Sequence, residues 1–403
     1  MDEMKHVPVF FSAPHRVMFL AGATNALLAM LWWATELGAR MAGSPLAASW
    51  SLPPSWAHGA LMMFGVFPFF IFGFVFTAGP RWQGREEVQP QVYVPAFAAM
   101  SAGWLLFYGA LLQPSLLVPA LALVFAGWLV GLREVWRIAS HPNPERLHIR
   151  VLALALTAGA GGVGALLAQV SGGPPALAPW ALSVGVWCFL LPVYATVCHR
   201  MIPFFTGSAI KGFNPPRPDW TLLVILAGAV AHGILAGCGQ WTLTWLADLP
   251  AAVAAVYLSL AWQLRRSLEV RLLAMLHIGF AWLGLGLGLS ALQGVLAFAG
   301  IPVLGLGPLH ALTIGFFTSI LVGMASRVTM GHSGGALLAD ETSWRIFLGL
   351  QCVALMRVAG ELRPEVITHF SLLAALGWLV VFGAWWRKYA PILWRPRSDG
   401  RPG

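Results

Sequence analysis

The sequence predicts an all-α, polytopic integral membrane protein with twelve transmembrane helices and both termini in the cytoplasm. Three observations carry that prediction. Hydrophobic residues make up 58% of the 403 positions, whereas Asp, Glu, Lys and Arg supply only 10%. A water-facing surface normally uses about 25% charged residues, so a soluble enzyme is excluded, and so is a disordered chain. The apolar residues also fall into twelve runs long enough to cross ~30 Å of hydrocarbon at ~1.5 Å per helical residue. Finally, with the N-terminus in the cytoplasm, only Arg40, Arg357 and Arg363 of the 24 Lys and Arg fall on the outer side. Cations accumulate on cytoplasmic loops, and one segment more or fewer would scramble the pattern.

Taken in order, a short tail (1–16) leads into the first segment, 17–38. This is not a cleaved signal, because its apolar run is long and it carries Thr24, Asn25 and Glu36. Pro53-Pro54 separates it from 58–80, which is followed by 92–113, 115–137 and 149–171. Gly172-Gly173-Pro174-Pro175 is a turn signal, and 178–200 follows it. After Pro215-Pro216 come 219–239, 243–264, 272–298, 307–329, 345–361 and 366–388, then a tail, 389–403. One transmembrane domain over 1–403 is expected, with no soluble domain, low-complexity tract or sequence repeat. Trp residues near the segment ends form an interfacial belt. Gly159-Ala160-Gly161-Gly162 and Gly284-x-Gly286-x-Gly288 favour close helix packing. They follow no strand, which excludes a nucleotide-binding loop.

The net charge of +9 does not point to nucleic acid, since no Lys/Arg run exceeds two, as at Arg265-Arg266. The lipid bilayer is the expected partner. Cys188, Cys198, Cys238 and Cys352 form neither CxxC nor CxxCH, so any haem is held non-covalently.

Ionisable groups inside a membrane are the best pointers to function. Acids at mid-membrane are missing from the sequence reading. Glu36 with Arg40, and Arg357 with Glu361, have the i,i+4 spacing of helical ion pairs near the outer surface. Histidines are plentiful. His58, His310 and His369 lie near the outer ends of their segments, and His232 lies about two turns below that surface. His277 is about two turns in from the cytoplasmic side, with His15, His199 and His332 near that face. His6, His141 and His148 read as loop residues. A lone helical His is more often a satisfied polar residue than a ligand. Yet single imidazoles from several helices are how a bundle builds a haem or metal site. Met62 lies one turn from His58 on the same face, and imidazole with thioether suits copper.

Several stretches together resemble the NnrS family over nearly the whole chain. They are Trp56-Ala-His58, Met62-Met63-Phe64-Gly65 and Pro80-Arg81-Trp82-Gln83-Gly84-Arg85, then Arg200-Met-Ile-Pro203-Phe204-Phe205-Thr206 and Leu276-His277-Ile-Gly279. His310-Ala-Leu-Thr313, Arg327-Val-Thr-Met-Gly331-His332-Ser-Gly334 and the tail from Tyr389 complete the set. The resemblance implies a twelve-helix protein of the bacterial inner membrane, associated with haem b and copper. It also implies a role in the response to nitric oxide and nitrosative stress, often beside denitrification. His58, His277, His310 and His332 match family histidines, and Arg327 a family arginine. His-x-His-Glu often opens the second helix of relatives; here Ala60 and Leu61 replace its last two residues.

The expected site residues follow. Haem falls to His277 and His310. An outer metal site draws on His58, Met62, His232, His310 and His369, and the alternative is a site in the cytoplasmic layer of His199, His277 and His332. Arg327 and Arg357 are charge partners, Arg357 either for a haem propionate or for Glu361. Two other classes compete. A membrane oxidoreductase turning over nitric oxide or oxygen suits the helix count, but the His-His and His-x-His pairs of haem-copper oxidases are absent. A secondary transporter fits the topology but lacks deep acids and an inverted repeat.

Overall fold

A computed structural model describes residues 8–301 and 303–400. Lys5, His6 and the end of the tail from Arg401 lie outside them. The described residues form helices joined by short turns. We number the long ones α1 (Pro14–Met41), α2 (Pro54–Trp82), α3 (Pro90–Ala110), α4 (Pro114–Ala139), α5 (Leu147–Val170) and α6 (Leu177–Ala209). There follow α7 (Asp219–Gly237), α8 (Trp241–Ala261), α9 (Arg271–Phe298), α10 (Gly307–Gly331), α11 (Glu341–Gly360) and α12 (Pro364–Trp394). Eleven of these are long and apolar enough to cross a bilayer. The exception is α11, a helix of 20 residues that carries Glu341, Arg345, Gln351 and Arg357. The tails are shorter than expected, because Pro14 at the start of α1 supplies a helical φ without needing an N–H partner. At the other end, α12 runs on to Trp394.

By internal contacts the chain divides into two compact units. The first comprises residues 1–185, 325–337 and 382–403; the second comprises 186–324 and 338–381. In the first, α1 packs on α2, α3 on α4, and α4 on α5. The close approach of α3 and α4 depends on Gly103, where a Cβ would lie 2.7 Å from the Ala120 carbonyl oxygen. In the second, α7 packs on α8, α8 on α9, and α9 on α10. Gly228 plays the matching part there, 2.7 Å from the Ala247 oxygen by the same measure. The glycine runs do favour packing: Gly162 abuts Phe64, Gly284 abuts Val256 and Gly286 abuts Leu312.

The backbone repeats where the residues do not. A π-helical segment interrupts α2 at Leu61–Val66, α6 at Gly185–Leu190 and α10 at Ala311–Thr318. A 3-10 turn opens α4 at Pro114–Leu116, α8 at Trp241–Leu243 and α12 at Pro364–Val366. Both features recur at every fourth helix, so the chain reads as three consecutive sets of four. The expectation of no repeat is corrected at the level of backbone, not sequence.

If α11 crosses the bilayer like its neighbours, reporters fused after Leu338 and after Leu362 are expected on opposite sides. Fusions after Gly172 and after Gly403 should likewise differ, and a shared side for either pair contradicts the twelve-helix topology.

Candidate functional site

The first unit holds His58 beside a buried acid. Glu36 is fully buried on α1. One of its oxygens accepts from Arg40 Nε at 2.5 Å and the other from Trp50 Nε1 at 2.5 Å. The Arg40 guanidinium also lies 5.6 Å from the centroid of the Trp33 ring, and Trp33 stacks on His58 with centroids 4.4 Å apart. The expected i,i+4 pair is therefore present and extends through an aromatic face to the imidazole. Met62 lies in the π segment that begins at Leu61, so the turn between His58 and Met62 is not regular α-helix. Ala60 and Leu61, where the resemblance leads us to expect a second His and a Glu, are 3% and 0% exposed and belong to the packed core. Nearby, the Tyr108 hydroxyl donates to Asn25 Oδ1 at 2.7 Å.

Near the start of α1 in this unit, the rings of His15 and His332 are 4.5 Å apart. The His332 Nδ1 donates to the Val328 carbonyl at 2.9 Å. A carbonyl only accepts, so Nδ1 carries the hydrogen and Nε2 keeps the lone pair. Burial pushes the His332 imidazole below its ordinary range, against the Val328 bond, and Arg81, Arg397 and Arg16 push the same way. The ring is thereby kept neutral, the form a metal requires. Beside it, buried Arg16 donates to the Leu393 and Arg395 carbonyls at 3.1 and 2.8 Å, joining α1 to the end of α12. Arg327 is half-buried on α10. His148, expected in a loop, is buried on α5.

The second unit holds the remaining candidates. His232 Nδ1 lies 2.8 and 2.9 Å from the two carboxylate oxygens of Asp248, which is fully buried on α8. Ser290 donates to Asp248 at 2.7 Å, and Trp187 stacks on the imidazole with centroids 3.5 Å apart. Sequence reasoning missed this acid. Asp248 sits seven residues into α8, roughly 10 Å along the helix, and the expectation that deep acids are lacking is corrected accordingly. The signal was its position as the sole acid of an apolar run.

His310 Nδ1 donates to the Leu306 carbonyl at 2.9 Å, which leaves Nε2 with the lone pair. His277 differs. The Thr206 hydroxyl gives its hydrogen to the Ile202 carbonyl, so it accepts from His277 Nε2 at 2.9 Å. The lone pair of His277 is therefore on Nδ1. Arg357 is paired with Glu361 at 2.6 Å, the simpler of its two expected roles. His369 is exposed on α12. Among the described residues, no three His, Cys, Asp or Glu side chains are grouped to hold a metal ion.

These features define a multi-pass, all-α membrane protein whose buried polar groups include several imidazoles held by hydrogen-bonding neighbours. The NnrS protein family model matches residues 9–397, and the chain belongs to that family. It is thus a membrane protein associated with the nitric oxide response. No curated protein matches the chain significantly.

Glu36→Gln replaces an acceptor-only group with one whose amide nitrogen must face Arg40 or Trp50. A loss of about 1–3 kcal/mol is expected, read as a lower thermal unfolding midpoint in detergent. Acidification should also weaken the fold around His332. Its folded pKa is lowered, so the unfolded chain binds the proton more tightly, and stability falls as pH drops through the ordinary imidazole range.

Proposed function

We propose that this protein is a haem- and copper-binding protein of the bacterial inner membrane that binds nitric oxide during nitrosative stress or denitrification. The family match over nearly the whole chain is the observation that carries the reading. The imidazole chemistry supports it. His310 and His332 each give Nδ1–H to a backbone carbonyl four residues earlier, which turns Nε2 outward from that bond. Metal-binding histidines are commonly held in this way.

In this reading b-type haem falls to His310 through Nε2 and to His277 through Nδ1. Copper falls to His58 with Met62, and to His232, His310, His332 and His369 as further donors. Arg327 remains a candidate charge partner for a haem carboxylate, whereas Arg357 has Glu361. A bound haem iron or copper ion supplies an open coordination position for a small neutral gas. The chain's own part is to present and orient the imidazole donors. Nitric oxide can reach such a site through lipid.

The test is the absorption spectrum and metal content of the detergent-purified protein. A Soret band that shifts when nitric oxide is added to the reduced protein, together with bound copper, is expected. His277→Ala and His310→Ala should each remove a spectral component, and His58→Ala should lower copper without loss of the folded bundle. A colourless, metal-free protein overturns the reading in favour of transport.

A further inference from the structure

The arrangement around His232 goes further. We infer that His232 binds a transition-metal centre through Nε2, and that Asp248 is the positioning residue that makes it a ligand. The inference rests on the haem and copper reading above and assigns one histidine within it.

The geometry is specific. Both carboxylate oxygens of Asp248 lie within 2.9 Å of Nδ1, and Ser290 Oγ donates to one of them at 2.7 Å. A carboxylate that receives a hydroxyl hydrogen and an imidazole hydrogen is an acceptor on both sides. Nδ1 of His232 therefore carries a hydrogen, and a metal would meet this ring at Nε2. Asp248 is 0% and His232 5% exposed. An acid buried in a bilayer is expensive, and such a residue with a named partner is a functional-site candidate. Three elements converge to build the pair: His232 from α7, Asp248 from α8 and Ser290 from α9. A fourth, the π segment of α6, lays the Trp187 indole flat against the imidazole at 3.5 Å and 22°. The indole fixes the ring plane, and the carboxylate fixes its rotation and tautomer. Carboxylate and Nδ1–H in series, with Nε2 on the far side of the ring, have the form of the outer half of a carboxylate–histidine–metal arrangement, in which the acid raises the basicity of the ligand.

The shared chemistry is an iron or copper ion accepting one imidazole, either as haem iron with an axial ligand or as a copper ion completed by other donors. The full chain would be purified in detergent as wild type, His232→Gly, Asp248→Asn and Ser290→Ala. Haem is counted as its pyridine haemochrome, copper by elemental analysis, and each centre is followed by electron paramagnetic resonance. His232→Gly should lose one equivalent of haem or of copper, and the one lost names the centre. Imidazole added to the buffer should restore the lost signal, which a purely structural role would not allow. Asp248→Asn should weaken retention ~10–100-fold, measured against a chelator for copper or a haem-accepting apoprotein for haem. It should also raise the midpoint potential of that centre, since removing a negative charge disfavours the oxidised metal. Ser290→Ala should act in the same direction and less.

Full haem and copper with unchanged spectra in folded His232→Gly would overturn the assignment while leaving the wider reading intact. Where His232→Gly does not fold, unchanged retention and potential in folded Asp248→Asn overturn the positioning role. A wild-type protein that holds neither metal overturns both readings together.

Discussion

Hydrocarbon offers a polar group no partner, so every donor and acceptor placed inside this protein has to be answered from within it. Four buried charged side chains among the described residues show how this is done. Glu36 accepts from Arg40 and Trp50, Asp248 accepts from His232 and Ser290, Arg357 is paired with the Glu361 carboxylate, and Arg16 donates to two carbonyls at the end of α12. The same rule shapes the uncharged interior. Gln351 on α11 accepts from Trp282 on α9 and donates to Ser319 on α10. Trp385 Nε1 donates to Ser326 Oγ, and Trp128 Nε1 to the Leu156 carbonyl. Polar side chains are therefore more than points of chemistry here. They fix which helix faces meet where apolar contact alone, equally available from lipid, discriminates poorly.

The backbone answers the same demand in its own way. A π turn keeps its hydrogen bonds inside one helix while changing the direction of the residues around it. Such turns follow His58 within one helical turn, contain Trp187 and directly follow His310. Small residues then let neighbours close in. At Gly315 in the third π segment there is no room for a Cβ beside the Trp282 indole, and at Gly65 in the first a Cβ would lie 2.7 Å from Asn25 Nδ2. Recurrence of one backbone device at every fourth helix, with different residues inside it each time, puts the conserved element of this architecture in hydrogen-bond register rather than in side chains.

That distinction decides what could be read from the residues. Segment length and the placement of cations were legible, because they are properties of composition along a line. The i,i+4 partners Glu36–Arg40 and Arg357–Glu361 were legible because helical spacing places them together. The helix α11 was read on the same footing as its neighbours, although its mean apolarity is lower, because the alternation of basic loops requires it. The π turns were hidden, since one residue of slip leaves no mark in hydropathy. Asp248 was hidden by its partner. His232 lies on the preceding helix, and nothing local in either segment announces that the two meet. The His15–His332 contact was out of reach for the same reason at far greater separation along the chain.

The candidate site shows why counting histidines is a blunt instrument. Eleven imidazoles carry equal weight in a sequence, but the hydrogen bond at one nitrogen decides what the other can do. An acceptor-only partner at Nδ1, whether the Leu306 carbonyl, the Val328 carbonyl or the Asp248 carboxylate, fixes a hydrogen there and makes Nε2 the nitrogen through which the neutral ring would act as a base. At His277 the Thr206 hydroxyl has already given its hydrogen away, so Nε2 becomes the donor and the basic position moves to Nδ1, the nitrogen nearer the backbone. These are chemically different ligands built from the same residue. Of the three fixed through Nδ1, only His232 is held by a charge. A carbonyl orients an imidazole, whereas a buried carboxylate also raises its basicity, and with it the stability of the oxidised metal it would bind. The choice between a ligand and a structural polar residue is thus made on α8 and α9, by Asp248 and Ser290, and not on the helix that carries the histidine.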